Sequence, residues 1–289
     1  MTSTDTGTAA ASGTFSLGGR TPIHRLGYGA MRITGDGVWG PPADHDGALR
    51  VLRRAVELDV DFIDTADSYG PYVSEVLIAE ALHPYRDGVV VATKGGLVRT
   101  GPGEWHPVGN PKYLRQEVEM SLLRLKLDRI PLYQFHRPDP ATPYEDSIGE
   151  LAALKDEGKI EHVGVSNVTV EQLAQARAVT DIATVQNRYN LADRSSEDVL
   201  DVCTEAGIGF IPWFPIAVGE LARPGGPLDE ISSSHGASPG QLALAWLLRR
   251  SPVMLPIPGT SSVEHLEENV AAAGIELTDD EFTALEKAV

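Results

Sequence analysis

Eight apolar, β-like runs alternate with amphipathic stretches along this chain, and that alternation limits it to an α/β architecture built on a parallel sheet. The runs are LGYGAM (26–31), VDFIDT (60–65), VVVATK (89–94), IPLYQFH (130–136), HVGVSN (162–167), TVQNRYN (184–190), GFIPWFP (209–215) and VMLPIPG (253–259). The segments between them carry helical spacing. In HDGALRVLRRAVELD, Leu49, Leu52 and Val56 share one face, and PKYLRQEVEMSLLRLKL follows the same pattern. QLALAWLLRR (241–250) is apolar enough for a well-buried helix. SVEHLEENVAAA predicts another, capped by Ser261 or Ser262, and TDDEFTALEKAV a terminal one after a Thr cap. FSLGGRTPIH (15–24) reads as a short hairpin, placed to plug one end of the sheet structure.

Eight strands with intervening helices favour a (β/α)8 TIM barrel, with a short N-terminal β-hairpin and an extra C-terminal helix, over a doubly wound open sheet. The chain's 289 residues suit this, because such a barrel typically takes about 250. An open sheet that binds a dinucleotide usually carries a glycine fingerprint, and Gly27-Tyr28-Gly29 stops at G-x-G. No linker, repeat or compositional break interrupts the pattern. Residues 14–289 are therefore expected to form one domain, preceded by a flexible tail over 1–13 rich in Ser, Thr, Ala and Gly.

The formal net charge of -17 argues against nucleic acid and anionic membrane surfaces as partners. It does not exclude a small anionic ligand in a locally basic pocket. Cys203 is the only cysteine, which rules out an internal disulfide or a thiolate metal cluster and fits a reducing, cytoplasmic setting. The first residues lack the basic start and apolar core of a signal peptide, and no apolar run is long enough to span a bilayer. No HExxH motif or cluster of His and carboxylates calls for a metal.

In a barrel, chemistry gathers where strands end at one mouth. Asp64, Tyr69, Lys94 and His136 fall at or just after the carboxyl ends of three successive runs. Taken singly, Asp64 reads as a cap, Tyr69 as a turn aromatic, Lys94 as a solvated strand end and His136 as a structural histidine. Together they can build a proton-donating phenol. A free phenol has a pKa of about 10, and a nearby ammonium favours its ionised form, so Lys94 is expected to lower the Tyr69 value. Asp64 can keep Lys94 charged and oriented, and His136 can share charge developing on a carbonyl oxygen. Ser166, Asn167 and Gln186 add hydroxyl and amide groups near later strand ends. GTSSVEHLEEN joins a turn to a helix start whose free N–H groups form an anion site, helped by the Thr260, Ser261 and Ser262 hydroxyls.

FIDTADSYG, ATKGG and YQFHRP, in that order, resemble the catalytic tetrad segments of the aldo-keto reductase family, and GKIEHVGVSN, VQNRYN and IPGTSSVEHLEENV resemble three further segments. The similarity runs from about Leu17 to the C-terminus. It implies Tyr69 as general acid, Asp64 and Lys94 tuning it, and His136 orienting the substrate carbonyl. It implies a nicotinamide coenzyme whose carboxamide meets Ser166, Asn167 and Gln186 and whose ring stacks on Trp213. Phe214, Pro215 and Ile216 would follow its pyrophosphate, Ala30 and Met31 would line its path, and Glu268 and Asn269 would face its adenine. The chain departs from many relatives at two positions, with Gly259 in place of a lysine and His265 in place of an arginine, both cations that commonly hold the 2′-phosphate. NADPH is the expected coenzyme and NADH the alternative.

A small-molecule carbonyl compound is the expected substrate, with Arg32, Trp39, Tyr72 and Arg137 as pocket candidates. The stretches LGYGAM and FIDTADSYGPYVSE are closest in pattern to bacterial pyridoxal reductase-like members, which makes pyridoxal a lead beside other aldehydes, ketones and keto-sugars. An accessory subunit that senses nicotinamide nucleotide with little turnover is the alternative, against which the intact tetrad argues. An unrelated barrel enzyme is a third. The sequence leaves the oligomeric state open.

Overall fold

The computed structural model describes residues 7–216 and 227–287. Its first two strands, β1 (Thr14–Leu17) and β2 (Thr21–His24), pair antiparallel as the expected hairpin. The main sheet then runs β3 (Tyr28–Gly29), β4 (Phe62–Asp64) and β5 (Val90–Gly95). A small antiparallel pair, β6 (Leu97–Val98) with β7 (His106–Pro107), stands in the loop that follows β5. The sheet continues with β8 (Ile130–Phe135), β9 (Ile160–Ser166), β10 (Ile182–Arg188) and β11 (Gly209–Trp213). Seven strands pair in the order β3-β4-β5-β8-β9-β10-β11, every pair parallel.

The eighth expected strand, 253–259, is corrected to an extended closing segment with a single bridge, Phe210 to Met254. Pro256 and Pro258 have no N–H and cannot donate to a ladder. Their carbonyls still work: Gly27 N donates to Pro256 O at 2.9 Å and Gly29 N to Pro258 O at 3.5 Å. On the other side Leu255 N donates to Phe210 O at 2.8 Å. The segment thus joins β11 to β3 and closes the barrel.

Helices cover the outside: α1 (His45–Glu57), α2 (Val73–Leu82), α3 (Pro111–Leu125), α4 (Tyr144–Asp156), α5 (Val170–Val179), α6 (Glu197–Ala206), α7 (Pro227–His235), α8 (Pro239–Arg250), α9 (Val263–Ala271) and α10 (Asp279–Lys287). Several starts are capped by their own side chains. Asp44 Oδ1 accepts from Gly47 N at the head of α1, and Ser238 with Gln241 forms a capping box on α8. Ser262, rather than Ser261, caps α9. Thr278 and Glu281 exchange bonds at the head of α10. Leu49 and Leu52 of α1 are buried as their spacing predicts. In α8, fully buried Trp246 stacks on Tyr189 and on Phe282, each at 6.0 Å, and so clamps α10 to the barrel. Such aromatic pairs contribute about 1 kcal/mol beyond their buried area. Among the described residues no helix is long and apolar enough to cross a membrane.

Of the segment expected as a tail over 1–13, residues 1–6 lie outside the described residues. Ala9–Ser12 form a 3-10 turn. Ala9 is fully buried and its N–H donates to Leu58 O at 2.9 Å. Ser12 Oγ accepts from Leu26 N at 3.0 Å, satisfying a donor at the base of the barrel that has no strand partner there.

The barrel interior alternates in period two. Phe62, Val90, Ala92, Leu132, Ile211, Leu255 and Ile257 fill the lower end, where Leu17 and Ile23 of the hairpin seal it. Ile63, Tyr133, Phe135, Val163, Val165 and Val185 point instead into the layer beneath the helices. Moving up each strand by two from the lower layer brings one to Asp64, Lys94, Gln134, Ser166, Gln186 and Trp213. Lys94 pairs with Gln134 and Gln186 with Ser166, while Asp64 pairs with Ala92 and Gln186 also with Ile211, so the polar side chains step along the staggered strands toward one mouth.

Candidate active site

Asp64 ends β4, Lys94 sits one residue before the end of β5, and His136 follows β8, so three strands deliver their side chains to one mouth. Tyr69 comes from the turn after β4. Lys94 Nζ donates to Asp64 Oδ2 at 2.6 Å, to Thr65 O at 2.9 Å and to Tyr69 Oη at 3.3 Å. The other carboxylate oxygen, Asp64 Oδ1, accepts from Gln186 Nε2 at 2.8 Å and from Gln134 Nε2 at 3.0 Å. The lysine and carboxylate are thereby fixed and hydrogen-bonded, which a buried pair requires.

Burial alone would lower the Lys94 pKa, but Asp64 and Tyr69 outweigh it and hold the ammonium above its ordinary range. The expected lowering of Tyr69 is corrected. Burial raises the phenol more than Lys94 lowers it, and the net direction is upward. Tyr69 therefore rests as a protonated donor. His136 is pushed well below its usual pKa by burial, then by Lys94, Arg137 and Arg99, so its imidazole is neutral at pH 7. Its Nδ1 lies 3.3 Å from Ser68 Oγ and its ring meets Tyr69 edge-on at 5.9 Å.

These groups open into a cavity of about 680 Å³. Its inner wall holds Asp64, Tyr69, His136, Leu97, Val38 and Trp105, and Arg137 also lines it. The remainder runs along Gly29, Met31, Arg32, Ser166, Asn167, Gln186, the stretch Trp213–Ile216 and Ile257–Gly259. Ser166 Oγ donates to Gln186 O at 2.8 Å, and Asn167 Nδ2 donates to His136 O at 3.1 Å. Asn167 and Phe214 both have left-handed backbone, φ 57° each, and Phe214 is half exposed. For a bulky residue that conformation is strained, and such strain clusters at ligand sites. The Trp213 indole Nε1 is buried without a partner among the described residues.

Several expected residues stand elsewhere. Tyr72 does not line the cavity: left-handed at φ 68°, it precedes α2 with its ring under Arg124 at 4.2 Å. Trp39 is also set outside the wall, bridged to Gly70, and Trp105 lines the cavity instead. Ala30 is fully buried with its carbonyl bonded to Ser74 Oγ, and Met31 alone of that pair reaches the cavity. Thr260, Ser261, Ser262, His265, Glu268 and Asn269 lie beyond the cavity wall at and along α9. There Ser262 Oγ donates to Glu264 Oε2 at 2.7 Å while Thr260 Oγ1 accepts from Ser262 N at 3.1 Å, so part of the expected hydroxyl set is already engaged. Glu268 O accepts from Gln241 Nε2, tying α9 to α8.

Gly259 has a structural reason. A Cβ there would come within 2.7 Å of Gly29 O, because the barrel closes by direct approach of two backbones. The next atom in that space is Arg32 Cγ, at 3.5 Å. Arg32 thus packs at the closing seam. Gln134, Arg99 and Trp105 were not singled out by the sequence. Gln134 had one readable sign, a polar residue in an apolar strand two before His136.

A parallel barrel that buries a charged lysine against a protonated tyrosine at its mouth defines an oxidoreductase of the barrel class. The chain belongs to the Aldo/keto reductase family, whose model matches residues 25–289. It is 54% identical over 279 residues to an uncharacterized oxidoreductase of Schizosaccharomyces pombe, covering 96% of this chain and 90% of that one. It is 42% identical over 283 residues to pyridoxine 4-dehydrogenase of Escherichia coli, covering 96% and 98%. A solved aldo-keto reductase from Klebsiella pneumoniae in complex with NADPH superposes with a TM-score of 0.81 at 28% identity, covering 95% of this chain and 94% of that one.

Proposed function

We propose that this chain reduces an aldehyde or ketone to an alcohol with NADPH as coenzyme, that Tyr69 is the general acid, and that pyridoxal is the leading substrate. The observation that carries this reading is the 3.3 Å contact of the Lys94 ammonium with the Tyr69 hydroxyl in the cavity wall. A phenol raised by burial keeps its proton until a carbonyl oxygen develops charge beside it. Once the proton leaves, the adjacent ammonium stabilises the phenolate, and Asp64 keeps that ammonium in place. Neutral His136 can donate to the same carbonyl oxygen through Nε2 if Ser68 donates to Nδ1.

The residues present suit a dinucleotide. The cavity offers an aromatic wall at Trp213, polar groups at Ser166 and Asn167, and a run from Phe214 to Ile216 for a phosphate-bearing tail. When bound, reduced nicotinamide supplies the hydride. Gln186 braces Asp64, and Arg32, at the Gly259 seam, is the cation within reach of the pyrophosphate. Arg32 has no hydrogen-bond or ion-pair partner among the described residues. The same holds for Arg137, which lines the cavity beside His136 and can meet an anionic substituent such as the phenolate of pyridoxal. Trp105 gives a flat wall for an aromatic ring. The 42% identical relative named for pyridoxine supports that lead.

The test is loss of NADPH absorbance with pyridoxal and a panel of aldehydes, for the wild type and Tyr69→Phe. Turnover of pyridoxal that falls by about 10²-fold or more in the variant is expected. Turnover of panel aldehydes alone discards pyridoxal. NADPH binding without any turnover replaces the reductase reading with the accessory one.

A further inference from the structure

Arg99 follows β6, five residues after Lys94, and its guanidinium touches nothing acidic. Instead it donates to five backbone carbonyls: Nε to Glu104 O at 2.7 Å, Nη1 to Val38 O at 2.8 Å and Ser68 O at 3.0 Å, and Nη2 to Gly37 O at 2.8 Å and Gly101 O at 3.3 Å. Those carbonyls belong to three separate segments. Its Cζ also lies 3.5 Å from the Trp105 ring centroid, with Trp39 farther off at 5.8 Å.

Each segment carries part of the substrate side of the cavity. Val38 and Trp105 are in its wall. Ser68 touches His136 through its hydroxyl, and Trp105 meets Tyr69 edge-on at 6.3 Å. Val38 has φ 55°, a left-handed conformation that a β-branched residue adopts only when its surroundings enforce it. Two contacts do so at its carbonyl, from Arg99 Nη1 at 2.8 Å and from Gly70 N at 3.2 Å. A planar fork with five donors is the only side chain able to satisfy carbonyls from all three segments while its Cζ rests over an indole ring.

We propose that Arg99 is the positioning residue of the substrate wall: it pins Val38 and Trp105 opposite Tyr69 and shapes the pocket for a flat aromatic carbonyl compound. The word substrate rests on the reductase reading above; the pinning itself does not. Removing Arg99 frees the wall loops and costs aromatic binding, while the buried Lys94–Asp64 pair and the coenzyme side keep their own contacts.

The experiment has two arms. In the ligand-free protein, Arg99→Ala is expected to speed amide hydrogen exchange by about tenfold in peptides covering 35–40 and 99–106, with the barrel strands unchanged. Unchanged exchange in those peptides overturns the proposal. Arg99→Lys is expected to behave as Arg99→Ala, because an ammonium keeps the charge but not the fork; recovery of slow exchange with Lys overturns it. In turnover, both variants are expected to raise KM for benzaldehyde about tenfold with little change in kcat, and to leave a small aliphatic aldehyde nearly unaffected. Equal losses for both aldehydes, or a loss confined to kcat, overturn it. If the wild type reduces neither aldehyde, the reductase reading fails while the exchange arm still decides the role of Arg99.

Discussion

Lys94 Nζ stands 2.6 Å from Asp64 Oδ2 with the two side chains 0% and 2% exposed, so the charge pair at the heart of the site is fully removed from water. Replacing Lys94 by Met leaves Asp64 buried with Gln134 and Gln186 but no counter-charge. Breaking such a pair costs about 3 kcal/mol or more. Urea denaturation of Lys94→Met is expected to show that loss, and reduction to disappear while much of the NADPH affinity remains. Retained reduction would remove Lys94 from the chemistry.

The protonation states make a second prediction. His136 is held neutral, its pKa pushed down, and Tyr69 is held protonated, its pKa pushed up. Between them lies a broad pH range in which neither changes state. The kcat/KM for reduction should therefore show no inflection near the unperturbed histidine value of about 6.5. A pH profile with a limb there, lost in His136→Gln, would show that the imidazole titrates in the working range.

Most of the fold was legible because period-two alternation survives in the strands themselves. VDFIDT and VVVATK place Asp64 and Lys94 on the inward parity of their strands, and the structure has them there. The eighth run failed as a regular strand because Pro256 and Pro258 keep the extended path while deleting its donors. Tyr72 was drawn to the site by nearness in sequence, but one left-handed residue at the head of α2 turns its ring away toward Arg124. Arg99 and Trp105 sit in a loop with no periodicity, and their contacts reach residues about sixty positions upstream. Only the folded chain reveals them.

Asp67 gives a stability prediction of opposite sense to the usual buried carboxylate. It is 1% exposed and neither carboxylate oxygen has a hydrogen-bond partner among the described residues. Burial, then Glu75 and Glu117, hold its pKa well above the ordinary range. The folded state keeps the proton while the unfolded chain releases it above about pH 4, so this group's contribution to stability is full below that value and is lost as pH rises. Asp67→Asn removes the titration. The variant should gain on the wild type as pH is raised from about 5 to about 8, and match it near pH 4, in urea unfolding. A constant difference across that range would mean that Asp67 does not bind a proton on folding.

The two basic residues near the proposed coenzyme path, Arg32 and His265, should separate by the part of the ligand each meets. Gly259 cannot carry a side chain without displacing Gly29 O, so the lysine of many relatives is excluded by the barrel seam itself. Arg32 packs at that seam and lines the cavity together with Phe214, Pro215 and Ile216. On the coenzyme binding proposed above, those neighbours would put it beside the pyrophosphate, which NADPH and NADH share. Arg32→Ala is therefore expected to weaken both coenzymes alike, by about tenfold for one lost charge-assisted contact. His265 stands instead in the first turn of α9, near Ser262 and the acidic Glu264, away from the cavity wall. On the same proposal a permanent cation there would meet the 2′-phosphate alone, so His265→Arg should tighten NADPH and leave NADH nearly unchanged. Calorimetric titration of both coenzymes against both variants reads the pattern directly. A coenzyme-selective effect of Arg32→Ala would move that arginine to the 2′-phosphate, and an equal effect of His265→Arg would take His265 away from it.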